Sequence, residues 1–273
     1  MNPFFSIIVV SFNPGDRLRT TLQSIREQSF ADYEVIVKDG KSSDGSLASI
    51  PEDARIRVIS GRDCGIYDAM NEAVRRAEGE YLYFLNCGDH LYDREVLRRV
   101  HDAIVRRKER PAPQLFYGDI YERLTGQIAA ASPVMDDFAC YRNLPCHQAC
   151  FYSRALFADR GFDTDLRVRA DYEHFLYCRY RAGAELTALP MVIADYEGGG
   201  FSETRENRRL SAKEHRLVTA LYLPLRSRIL FRLYMIFTLQ PLREKFSRGK
   251  YTAALYHGLK NRLYRRGTSD GNI

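Results

Sequence analysis

The chain has 273 residues, 45% of them hydrophobic, enough for one large domain, or one domain and an appendage, around a substantial core. No apolar run reaches the ~20 residues that span a bilayer, and the opening MNPFFSIIVVSF lacks a basic n-region and a small-residue cleavage site, so neither a membrane span nor a signal peptide is expected. The net charge is +6, and six cysteines in a chain of this length do not suggest a disulfide framework, so a reducing cytosol fits better.

Phe5–Phe12 (FSIIVVSF) is apolar and β-branched and ends at Asn13-Pro14-Gly15, which predicts a buried strand closed by a turn. Asp16 can cap a helix whose apolar positions Leu18, Leu22 and Ile25 recur at helical spacing. Tyr33–Lys38 is a second strand, leading into the polar loop Asp39–Ser46, where Asp44 or Ser46 can start a short helix. Ile56–Ser60 is a third strand. The stretch Arg62–Asp89, RDCGIYDAMNEAVRRAEGEYLYFLNCGD, organises the rest. Ile66, Met70, Ala73, Val74 and Ala77 fall on one helical stripe, and Gly79 ends that helix. Tyr81–Leu85 is a short apolar run of the kind a parallel sheet buries on both faces. Strands and helices alternating in this way predict a parallel sheet with right-handed crossovers.

Arg94–Lys108 is the next helix, ended by Pro111 and Pro113, and Leu115–Tyr121 the next strand. A looser region from Thr125 leads to Cys146-His147-Gln148-Ala149-Cys150. The spacing of these cysteines, with Cys140 nearby, matches no common structural zinc site, and they read as small buried hydrophobes. Asp171-Tyr172-Glu173 opens a helix running toward Ala182, with Gly183 as its stop. Leu186–Tyr196 reads as a strand pair broken at Pro190, and Gly198–Ser202 as a loop that needs backbone freedom.

Charge divides the chain. Residues 1–204 carry 25 Lys/Arg against 31 Asp/Glu, whereas residues 205–266 carry 16 against 3. This tail mixes large apolar residues with Arg226, Arg228, Arg232 and Arg243, and Pro224 and Pro241 divide it into short helices. Arginine interrupts every apolar run, so the tail suits an anionic membrane surface better than a span. The alternatives are packing on the domain or joining a second copy into a homodimer; no nucleic-acid motif accompanies the basic run.

Three carboxylates stand at strand ends, Asp39, Asp89 and Asp119, and a parallel sheet brings such ends to one rim, the usual address for a ligand. Asp171 sits at a helix start, and plain structural roles are open as well: Asp39 as a turn residue, Asp89 as a cap, and Asp171 as a helix N-cap. Neither GxGxxG after the first strand nor GxxxxGK[ST] is present, and no G-x-S-x-G elbow is found. What remains is a nucleotide site built from polar loops and carboxylates.

SIIVVSFN, YEVIVKDGKSSDGS, DCGIYDAMNEAVRRAEGEYLYFLNCGD, LPCHQACFY, RADYEHF and YEGGGFS, in that order, resemble the family 2 glycosyltransferases, in particular those of exopolysaccharide (colanic-acid-type) assembly, over residues 5–203. The resemblance implies an α/β fold of the GT-A type: a Rossmann-like, mostly parallel sheet flanked by helices. Residues 1–204 would form it, 1–121 as the nucleotide-sugar-binding half and 122–204 as the acceptor-binding half, with 205–273 a basic helical appendage. It implies an inverting transfer from a nucleotide sugar (a UDP-sugar first, a GDP-sugar second) to a saccharide or polyprenyl-diphosphate-linked acceptor in cell-surface polysaccharide biosynthesis. The setting would be the cytoplasmic face of the membrane. Carried over, Ser11, Phe12 and Asn13 line the base pocket and Asp39 bonds the base. Asp44, Arg62, Tyr67 and Asn71 flank the nucleotide sugar. Asn86 and Gly88 stand where relatives have the two carboxylates of Asp-x-Asp, leaving Asp89 as the one anion for Mg²⁺ or Mn²⁺. His147 and Gln148 face the diphosphate or the acceptor, and Asp171 matches the catalytic base. The alternatives are a sugar-phosphate nucleotidyltransferase, whose glycine- and arginine-rich signature is absent, and a non-catalytic nucleotide-sugar-binding or membrane-scaffolding module.

Overall fold

The computed structural model describes residues 2–107, 112–198, 204–238 and 252–266. Pro111, most of the loop read at Gly198–Ser202, and Pro241 and Arg243 of the tail lie outside the described residues.

The first half is the predicted parallel unit. Strands β1 (Phe5–Ser11), β2 (Tyr33–Asp39), β3 (Ile56–Ser60) and β4 (Tyr81–Phe84) pair in the order β3-β2-β1-β4, all parallel. All seven residues of β1 are buried because helices cover both faces of the sheet. Alternation then sorts its side chains: Ile7 and Val9 join one core with Leu18, Leu22 and Ile25 of α1 (Arg17–Arg26), while Ile8 and Val10 join the other with Met70 and Ala73 of α2 (Ile66–Val74). Gly79 serves β1 rather than the helix end. A Cβ there would stand 2.5 Å from the Ser6 backbone nitrogen, so only glycine lets α2 return this closely to the sheet.

The second half interleaves its strands. It comprises β5 (His90–Leu91), α3 (Val96–Val105), β6 (Gln114–Glu122), β7 (Gln127–Ala129), α4 (Asp137–Arg142), β8 (Cys150–Ser153), α5 (Ala170–Tyr180) and β9 (Glu185–Tyr196). The sheet continues β4-β8-β6-β9-β5, with β7 beside β6. Strand β8 runs antiparallel between β4 and β6, β5 is antiparallel to β9, and β6 and β9 are parallel. The result is one mixed sheet, and residues 185–196 form a single strand instead of the expected broken pair. Pro190 is carried by a bulge, where the register between Tyr117 and Asp119 of β6 slips against Ala188 and Val192. Gly118 makes the bulge possible, since a Cβ there would lie 2.7 Å from the Met191 carbonyl oxygen.

The break in charge at residue 204 does not coincide with a break in packing. Helix α6 (Arg205–Tyr222), with Thr204 accepting the Asn207 N–H at its start, buries Val218 and is followed by buried Leu223. Pro224 separates it from α7 (Leu225–Phe237), which rests Phe231 and Tyr234 on Phe138 of α4. Helix α8 (Ala253–Arg266) ties to the β7 segment, Asn261 donating to the Ile128 carbonyl and Lys260 to that of Ala130, both at 2.8 Å. No described helix is long and apolar enough to cross a membrane.

Candidate active site

A cleft of about 1960 Å³ opens on the rim where β1 and β4 end. That is about twice the upper end of an ordinary small-molecule pocket, ~1,000 Å³, and leaves room for two ligands side by side. One end is formed by Ser11, Phe12, Asn13 and Arg17, the floor by Asn86, Cys87 and Asp89, and one wall by Cys146, His147, Gln148 and Asp171. The far end is lined by Arg169 and by residues of α6 and α7.

At the first end, β1 turns out through Asn13 in a left-handed conformation (φ 46°), which asparagine tolerates. The loop after β2 fastens it. Asn13 N–H donates to Ser42 Oγ, Ser43 N–H to Asn13 Oδ1, and Gly15 N–H to Asp44 Oδ2, each at 2.8 Å. Phe12 is left 69% exposed at the mouth of the cleft. Asp39 lies behind this loop and does not line the cleft. Its Oδ2 accepts the N–H groups of Lys41 and Ser42 and the Ser60 hydroxyl, while Oδ1 accepts that of Ser42. Burial pushes this carboxyl up, but the Ser42 and Ser60 hydroxyls and the two backbone N–H groups outweigh it and hold Asp39 below the usual carboxylate range. Asp44 likewise organises the loop, and Arg62 is exposed outside the cleft. The neighbouring Asp63 lines the cleft instead, held by the fully buried Lys38, whose Nζ lies 3.2 Å from Asp63 Oδ2 and 3.4 Å from Glu72 Oε2.

Along the floor, a hydrogen-bonded chain links four of the predicted residues. Asn86 Nδ2 lies 3.2 Å from His147 Nε2, and His147 Nδ1 lies 3.2 Å from Asp171 Oδ2. Tyr67 donates to Asp171 Oδ1 at 3.0 Å, and the Tyr172 N–H donates to the same oxygen at 2.8 Å. The His147 ring stands between the two, one nitrogen facing the Asn86 amide and the other the Asp171 carboxylate. Asp171 is no N-cap: it sits in the first turn of α5, its side chain 26% exposed to the cleft. Burial alone would raise its pKa, but the His147 hydrogen bond and charge, the Tyr172 N–H and the Tyr67 hydroxyl together bring it below the ordinary value. The start of α5 is held by Glu214 of α6, whose carboxylate accepts the consecutive N–H groups of Arg167, Val168 and Arg169 at 2.9, 3.0 and 2.8 Å.

Asp89 is almost fully buried. Its Oδ1 accepts the Glu197 N–H at 2.9 Å and its Oδ2 the Gln148 side-chain amide at 2.8 Å, and burial raises its pKa despite both bonds. Gly88 turns its backbone (φ 101°) beneath Glu197, and a Cβ at 88 would collide with Glu197 Oε2. The Glu197 carboxylate therefore fills the space that a side chain at 88 would need. Asn86 Oδ1 is buried without a hydrogen-bond partner. Among the described residues no group of three or more His, Cys, Asp and Glu is arranged to hold a metal. Asn71 points away from the cleft and clamps the backbone of Phe162 through both ends of its amide.

The cleft thus gathers Ser11, Phe12, Asn13, Tyr67, Asn86, Asp89, His147, Gln148 and Asp171, and leaves out Asp39, Asp44, Arg62, Asn71 and Gly88. Sequence reasoning missed Asp63, Glu197, Glu214 and the arginines of the far end. Asp63 follows β3 on the same rim as Asp39 and was open to the strand-end argument; Glu214 carried no signal, since its partners are backbone groups.

Comparison with known proteins gives a consistent picture. The family model described as Glycosyl transferase family 2 matches residues 6–132. A PGL/p-HBAD biosynthesis glycosyltransferase of Mycobacterium tuberculosis (strain ATCC 25177 / H37Ra) is 36% identical over 209 residues, covering 74% of this chain and 80% of the relative. Among solved structures, S. aureus TarS 1-349 in complex with UDP-GlcNAc superposes with a TM-score of 0.62 at 19% identity, covering 81% of this chain and 66% of that one. The mannosyltransferase PcManGT from Pyrobaculum calidifontis, in complex with GDP-Man and Mn²⁺, gives 0.58 at 15% identity, covering 96% and 87%.

Proposed function

Because the chain belongs to glycosyltransferase family 2 and has the GT-A fold, we propose that it transfers a sugar, with inversion, from a nucleotide sugar to an acceptor deprotonated by Asp171. The observation that carries this reading is the Asp171 carboxylate, held ionised by three donors and open to the middle of a cleft large enough for donor and acceptor together. The nucleoside end of the donor would lie at Ser11, Phe12 and Asn13, where the exposed Phe12 ring offers a face for a base. The acceptor hydroxyl attacks the sugar C1 from the side opposite the diphosphate. The new C–O bond forms as the bond to the diphosphate breaks, and the hydroxyl proton passes to Asp171. His147, bonded to both Asn86 and Asp171, keeps the carboxylate in place through this step.

The relative named for PGL/p-HBAD biosynthesis supports a role in cell-surface glycan assembly, and a UDP-sugar or GDP-sugar fits the ligands of the solved neighbours. A divalent cation arriving with the diphosphate would find the unpartnered Asn86 Oδ1, Asp89 and Glu197 as oxygens, and when bound it offsets the charge of the leaving group. The exposed apolar side chains of α7, interleaved with arginine, fit attachment to an anionic membrane surface, with α6 as part of the catalytic unit. A thermal-shift panel of UDP, GDP, CDP and dTDP, each with and without Mn²⁺, tests the donor reading. One of them should raise the melting temperature; none doing so at millimolar concentration would contradict it.

A further inference from the structure

Asp39, the carboxylate that the resemblance assigns to the base, is already saturated. Lys41, Ser42 and Ser60 donate to it, and the Ser11 hydroxyl stands 3.5 Å from its Oδ1. Asp63 is placed differently. It follows β3 on the same rim and lines the cleft, its side chain 17% exposed. A Cβ on Gly40 would stand 3.0 Å from Asp63 Oδ2 and 3.1 Å from the edge of the Phe12 ring. Carboxylate and ring therefore flank one point at the nucleoside end of the cleft.

The Asp63 carboxylate is also fixed in place. The fully buried Lys38 donates through Nζ to the Gly61 and Asp39 carbonyls at 2.7 and 3.2 Å and to Asp63 Oδ2 at 3.2 Å. The Gly65 N–H donates to Asp63 Oδ1 at 3.1 Å. A buried ammonium needs a counter-charge, but Glu72, 3.4 Å from the same nitrogen, supplies one as well. Neutralising Lys38 thus does not account for a second carboxylate turned to the cleft. A carboxylate oxygen accepts about two hydrogen bonds, so each oxygen of Asp63 keeps a lone pair for a ligand. We propose that Asp63, braced by Lys38, is the residue that selects the base of the donor. With the base laid on Phe12, the carboxylate accepts a ring N–H, the N3–H of uracil or the N1–H of guanine. It repels cytosine and adenine, which turn a ring lone pair to the same position. The proposal rests on the donor reading above, since it needs the nucleoside at Phe12, and it moves base selection from the end of β2 to the end of β3.

Calorimetric titration of the full chain with UDP, GDP, CDP and ADP tests this. UDP or GDP should bind about tenfold or more tighter than CDP and ADP, the worth of a hydrogen bond to a charged group. Methylating the ring nitrogen, as in N3-methyl-UDP or N1-methyl-GDP, should remove that advantage, and this arm needs no variant to fold. Asp63→Asn, which can present an amide N–H to a ring lone pair, should cut the preference over CDP about tenfold or more. Asp39→Asn loosens the loop without touching the base, so it should weaken all four nucleotides alike and leave the preference as in the parent. CDP binding as tight as UDP and GDP would overturn the proposal and leave the donor reading in place. So would a methylated nucleotide that binds as its parent does, or a preference unmoved by Asp63→Asn. Failure of all four nucleotides to bind would remove the donor reading and the proposal with it.

Discussion

His174 lies one helical turn beyond Asp171, fully buried among Phe157, Phe162 and Tyr177. Burial, and then the positive charge of Arg160, push its pKa down to about 3. The folded protein therefore keeps this ring neutral while the unfolded chain protonates it near 6.5, so the unfolded state holds one more proton between those values. Stability should fall by about 1.4 kcal/mol per pH unit from this residue as pH drops through that window. His174→Phe should flatten the slope of unfolding free energy between pH 6 and pH 4, measured by urea titration; an unchanged slope would mean the ring is protonated in place. The carboxylates behave in the opposite sense. Asp171 and Asp39, held below their ordinary range, add stability above the unfolded carboxylate pKa and lose it only as pH falls through their own lower values.

Among the elements, α5 matters most, because its first turn sets the position of Asp171. Three N–H groups at its start depend on one carboxylate from α6. Glu214→Ala would leave all three without that acceptor, at a cost of about 3 kcal/mol or more. That corresponds to a fall of roughly 6–12 °C in melting temperature for a domain of this size. Glu214→Gln, which keeps one acceptor oxygen, should lie between; a melting temperature unchanged by Glu214→Ala would show that solvent satisfies those groups. The elements of the first half were legible because each states its own environment: β1 and β4 are mostly large apolar or aromatic residues, and α2 keeps an apolar stripe at helical spacing. The second half was harder to read. Strand β8 is only four residues long and is placed by its neighbours β4 and β6, and Pro190 reads as a break unless the bulge opposite Gly118 is known. Within the site, residues on the floor could be found from strand ends. Asp39 could not be told from a ligand-binding residue, since the donors that occupy it become visible only when the loop has folded over it.

At the scale of the whole molecule, an acidic body carries a basic set of helices, and the structure divides their labour. Helix α6 belongs to the core, α8 to the β7 edge, and α7 presents apolar side chains outward while sending Arg228 and Arg232 into the cleft. Attachment to vesicles should thus require anionic lipid and weaken in 1 M salt, where the Debye length shrinks to ~3 Å. Leu230→Ser with Phe237→Ser should abolish flotation while leaving the melting temperature near that of the parent, because both side chains are already exposed. Flotation equal to the parent's would remove α7 as the anchor. The central claim, that this cleft transfers a sugar with Asp171 as its base, is tested most directly by Asp171→Asn. The variant should bind the nucleoside diphosphate identified by thermal shift as tightly as the parent and transfer sugar about 10²-fold more slowly or worse. Transfer at close to the parent rate would contradict it.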